Sequence, residues 1–60
     1  MKIKYEIEKI NSIDEYYFSE DDIMLRVDLI CRGYKTGERV VRYWSKKQWL
    51  DIIKKGYFME

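Results

Sequence analysis

The first ten residues, MKIKYEIEKI, alternate. Met1, Ile3, Tyr5 and Ile7 fall on one side of an extended chain, and Lys2, Lys4, Glu6 and Glu8 on the other. A period of two predicts a strand with one buried and one wetted face. Asn11 and Ser12 punctuate it. From Ser12 to Asp22 no clean period holds. Ser12 and Glu15 have the spacing of a capping box, whereas Glu15-Tyr16-Tyr17-Phe18 has the aromatic content of a strand. The charges around these residues favour a surface connection, a loop holding one helical turn at most.

Alternation resumes at Asp22. Leu25, Val27, Leu29 and Cys31 share one face, and Met24, Arg26, Asp28, Ile30 and Arg32 share the other. Tyr34-Lys35-Thr36-Gly37-Glu38 then reads as a tight hairpin turn, with Gly37 left-handed beside a bulge. Glu38 to Trp44 returns as the partner strand. Pairing Tyr34 with Glu38 sets Leu29 opposite Tyr43 and Cys31 opposite Val41, which makes one face apolar on both strands. The other face mixes Met24, Ile30, Val40 and Trp44 with Arg26, Asp28 and Arg42.

A period near 3.6 follows. Ser45 is a good N-cap, and Gln48 completes a capping box. Trp49, Leu50, Ile52 and Ile53 occupy one arc of the helical wheel, opposite Lys47, Asp51, Lys54 and Lys55. Gly56 is the expected left-handed stop, and Tyr57 and Phe58 fold back or pair elsewhere. The expected fold is therefore α+β: a three-stranded antiparallel sheet in β-loop-β-β-α order, with one C-terminal amphipathic helix packed on one face. The whole chain, 1–60, forms a single small domain.

Composition sharpens this picture. Sixty residues give a marginal core, and such chains usually gain support from disulfides, metals or partners. A single cysteine excludes an internal disulfide, and the lack of histidine argues against a zinc cluster. Aromatic packing and oligomerisation are left as the expected supports. No leader and no long apolar run appear, so a cytoplasmic location without membrane contact is expected, which suits a lone reduced thiol.

The net charge of +1 conceals a split. Residues 1–31 sum to −4 and residues 32–60 to +5. Asp14, Glu15, Glu20, Asp21 and Asp22 form an acidic patch with no base among them. Such asymmetry either marks an interaction surface or cancels when the halves fold together.

The inventory argues against catalysis. Histidine, the commonest general base, is missing, and Cys31 falls on the inferred core face, where a thiol behaves as a small hydrophobe. The carboxylates lack a calcium-loop pattern, and the three glycines serve turns and caps, so no metal and no cofactor is expected. The expected function is that of a small non-catalytic protein–protein interaction module, self-associating, acting as an inhibitor or adaptor on a partner's surface. Its contact residues would be Met24, Arg26, Ile30, Arg42 and Trp44, on a face with hot-spot composition. Trp44, at the strand-to-helix junction, either lines that interface or packs internally. The alternative is single-stranded nucleic-acid binding by Arg32, Tyr34, Lys35, Arg39 and Arg42, where basic and aromatic side chains interleave. A domain so near neutrality makes a poor phosphate binder, so this is the weaker expectation.

Overall fold

The computed structural model describes residues 1–19 and 21–60. Strand β1 runs Lys4–Ser19, β2 Asp22–Arg32 and β3 Glu38–Ser45. Helix α1 spans Lys46–Lys55, and a short β4 covers Tyr57–Met59. The sheet is antiparallel with order β3-β2-β1-β4. It is four-stranded rather than three-stranded, curled into a half-barrel, with α1 across its concave side.

Two departures from the expected fold account for this. The Ser12–Asp22 stretch is largely strand, not loop, because β1 carries 16 residues and pairs with β2 along nearly its whole length. Its pairing register shifts between Ile7 and Lys9, between Ile10 and Ser12, and between Tyr17 and Ser19. Each bulge restarts the alternation and bends the strand. A straight strand of this length would span roughly 50 Å, yet the longest dimension of the molecule is 37 Å. The fourth strand is the C-terminal tail: Tyr57, Phe58 and Met59 pair with Glu6, Tyr5 and Lys4. Hydrogen bonds between Ile3 and Glu60 extend that pairing by one step.

A third departure is register. Cys31 lies opposite Glu38, and Leu29 opposite Val40, three positions from the pairing that a tight turn at Gly37 implies. The connection occupies all of Gly33–Gly37. Gly37 is left-handed there, with φ of 69°, as expected, and its N–H donates to Glu8 over 2.9 Å. Gly33 is needed for a different reason: a Cβ at that position would overlap the Tyr5 ring. An odd shift turns a strand over. Val40, Arg42 and Trp44 therefore share the helix side with Leu25, Val27 and Leu29, while Arg39, Val41 and Tyr43 share the helix-free side with Asp28 and Ile30.

The core lies between α1 and the concave sheet. Leu25, Val27, Leu29 and Cys31 come from β2, Trp49 and Ile52 from α1, and Phe58 from β4. Trp44 stacks on Trp49 at a centroid distance of 5.7 Å and meets Phe58 edge-on at 4.9 Å, while Tyr5 stacks on Phe58 at 5.3 Å. The helix is placed by its caps. The Ser45 hydroxyl accepts from the Gln48 N–H, the Gln48 side chain accepts from the Ser45 N–H, and Gly56 closes the far end with φ of 85°. Because α1 starts two residues after Trp44, with only the Ser45 cap between, that ring is held against the first turn of the helix.

Candidate interaction surface

Burial divides the sheet unevenly. On β2 the concave residues are sealed, but on β1 their register partners are not. Ile10 pairs with Leu29 and Ile13 with Val27, so both isoleucines point to the helix side. They nonetheless retain 37% and 43% exposure. The helix touches β2, β3 and β4 and leaves this part of β1 bare. On α1, Trp49 and Ile52 are buried while Leu50 and Ile53 stay exposed. Leu50 lines a shallow notch of about 360 Å³ together with Ile23, whose register partner is Tyr17. Ile10, Ile13 and Tyr17 thus form an uncovered apolar strip on the helix side of β1, and Leu50 and Ile53 are exposed apolar side chains of α1.

The backbone beside that strip is also open. On its outer side β1 is paired with β4 over Lys4–Glu6 only, and the Ile7 N–H reaches the Gly56 carbonyl. Beyond that point β1 is an edge strand, and an edge strand offers unpaired N–H and C=O groups to any chain that can lie alongside. The bulges and the charges of Glu8, Lys9, Asp14 and Glu15 blunt this edge without covering it.

The helix-free side is held by charge rather than by apolar packing. Asp28 is buried there, and Arg39 grips it with Nε at 3.0 Å and a second nitrogen at 2.5 Å. Asn11 donates to the same carboxylate at 3.2 Å. The Arg39 and Asn11 hydrogen bonds hold the Asp28 carboxyl down at about 2. Arg26 pairs with Asp14 at 3.3 Å and Arg32 with Glu6 at 2.8 Å. The Arg32–Glu6 and Arg39–Asp28 pairs join the basic and acidic halves of the chain, so part of the charge split cancels internally.

The contact set expected from the sequence does not form one surface. Met24, Arg26 and Ile30 are half-buried on the helix-free side, but the shifted register puts Arg42 and Trp44 on the helix side. There Trp44 packs against the core, and Arg42 donates to Glu60 at 2.7 Å. The phosphate-binding set is scattered in the same way. Arg32 and Arg39 sit on one face and Arg42 on the other, each in an ion pair, while Tyr34 and Lys35 lie exposed in the Gly33–Gly37 loop. Of the acidic patch, Asp14 faces the helix-free side and Glu15, opposite Leu25, the helix side. Asp21 and Asp22 line the notch near Lys46 and Lys47, and Glu20 lies outside the described residues.

Cys31 is fully buried, and burial pushes its thiol above the ordinary value, away from the thiolate that a nucleophile needs. Among the described residues no three metal-ligating side chains gather, and no helix is long and apolar enough to cross a membrane. The open edge of β1 beyond Ser12 and the bare strip beside it escaped the sequence reading, because a stretch read as a loop has no edge. The signal was present in the spacing of Ile7, Ile10 and Ile13, three apart, which bulges convert into one face. No protein-family model, no curated protein and no solved structure matches the chain.

Proposed function

We propose that this chain is a non-catalytic protein-interaction module of the cytoplasm that works by strand addition. Its working surface is the outer edge of β1 past Ile7, together with the exposed apolar side chains Ile10 and Ile13 of β1 and Leu50 and Ile53 of α1. The observation that carries this reading is a 16-residue strand whose outer side is paired over Lys4–Glu6 alone. An extended segment of a partner would gain main-chain hydrogen bonds from the edge and burial of alternate side chains from the strip. Full burial of isoleucine-sized side chains is worth about 1.5–3 kcal/mol each, so four half-exposed ones leave ample driving force. Inhibitor or adaptor action follows from occupying a segment that the partner would otherwise use.

The test is selection from a random-peptide display library on protein immobilised at low density, run in parallel on an Ile13→Lys variant. The wild type should enrich extended sequences with apolar residues at alternate positions, and the variant should lose them. Enrichment of nothing above background, or equal enrichment on both proteins, would overturn the reading.

A further inference from the structure

We infer that a second copy of this chain is one of the strands that the β1 edge accepts, in an antiparallel two-fold arrangement centred between Asn11 and Ser12. The inference rests on the strand-addition reading and specifies its partner. It is carried by the side-chain order along the open edge. Reversed against itself about that centre, Lys9-Ile10-Asn11-Ser12-Ile13-Asp14 is self-complementary. Lys9 of each copy meets Asp14 of the other, Ile10 meets Ile13, and Asn11 meets Ser12.

Such pairing works only if the facing residues point to the same side of the sheet, and here they do. Lys9 lies opposite Ile30 and Asp14 opposite Arg26, both helix-free positions of β2. Ile10 and Ile13 lie opposite Leu29 and Val27, both helix-side positions. Residues three and five apart would ordinarily alternate in the wrong sense. The bulge between Ile10 and Ser12 brings them into phase. A two-fold pairing therefore puts two lysine–aspartate pairs on one surface and two isoleucine pairs on the other.

The surroundings agree with this register. The pairing runs Glu8 to Glu15 against its own reverse, and it stops where the Ile7–Gly56 hydrogen bond begins β4's share of the edge. Glu8 and Glu15 would face one another at the ends. Glu8, however, accepts from the Gly37 N–H, and Glu15 accepts from the Tyr17 hydroxyl. Lys9 makes no ion pair among the described residues, and Asp14 has only an exposed contact with Arg26. Both helices lie on the same side of the joined sheet, the side to which Ile10 and Ile13 of each copy point. The interface is isologous and closes after two copies.

The test is sedimentation equilibrium of wild type, of Lys9→Asp, of Asp14→Lys, and of an equimolar mixture of the two variants. The wild type should dimerise reversibly. Each variant alone, with two attractions turned into two repulsions, should dissociate about tenfold more readily. The mixture should form heterodimers, since one copy then carries two carboxylates opposite two ammoniums. Amide exchange on the wild type supplies a check free of mutation: protection of residues 8–15 should rise with protein concentration. A wild type that stays monomeric up to about 1 mM, or a dimer indifferent to both substitutions, overturns the two-fold pairing. If peptide selection succeeds nonetheless, the edge serves other chains only; if that fails too, strand addition falls with it.

Discussion

Asp28 is the residue on which the helix-free side of the sheet depends. It is a carboxylate with only 5% of its surface exposed, on a strand flanked by two others, and three hydrogen bonds from Arg39 and Asn11 satisfy it. A buried charge persists only where such partners exist. The same bonds set a pH dependence whose direction follows from linkage. The carboxyl titrates at about 2 in the fold and at about 3.9 in the unfolded chain. Below the latter value the unfolded chain takes up the proton first, so stability falls as pH drops. The contribution of Asp28 is complete above about pH 4 and gone once the folded carboxyl protonates near pH 2. Asp28→Asn should therefore be less stable than wild type at pH 6, and the gap should narrow steadily between pH 4 and pH 2. Urea midpoints measured across that range decide it. A gap that stays constant down to pH 2 would show that the fold does not stabilise the ionised form.

Helix α1 is the element most fully specified by local residues. Ser45, Gln48, Lys54, Lys55 and Gly56 do in the structure what their types and spacing imply. Removing the cap by Ser45→Ala should cost about 0.5–2 kcal/mol, readable as a lowered denaturation midpoint with an unchanged slope. A loss near zero would mean that core contacts alone hold the helix start. The α1 cap, the glycine stop and the buried face of β2 were all legible because each depends on neighbours a few positions away. The sheet was legible only where alternation ran unbroken. In β1 the bulges turned a period of two into a spacing of three, and between β2 and β3 three extra residues beyond the last pair, Arg32, Gly33 and Tyr34, reversed the faces. Both depend on contacts distant in sequence: the Gly33 backbone against the Tyr5 ring, and Glu8 reaching Gly37. The expected contact set is divided between two faces for the same reason, since Arg42 and Trp44 were assigned to their side by a turn geometry that the tertiary contacts override.

The molecule as a whole is a sheet only partly covered. One helix of ten residues lies across β2 and β3 and reaches the far edge through β4, so β1 is left open along its middle and outer half. A small chain concentrates its stability where the cover is complete. Leu29 and Ile10 face the same side in directly opposed positions, yet one is sealed and the other more than a third exposed. Leu29→Ala should cost about 2–5 kcal/mol, comparable to the whole stability of roughly 3–5 kcal/mol expected of a core this size, and should leave most of the chain unfolded at low concentration. Ile13→Ala, one step along the bare strip, should cost the isolated protomer well under half as much, because solvent already reaches that side chain. The two substitutions should also respond differently to concentration. The deficit of the Ile13 variant should widen as protein concentration rises, since that is when the wild-type strip becomes buried against another chain, while the Leu29 deficit is present throughout. Thermal melts of both variants over a hundredfold range of concentration separate a strip that completes an internal core from one that completes a shared one. Equal deficits at every concentration would place Ile13 in the core of the single chain and leave the edge beside it without a partner.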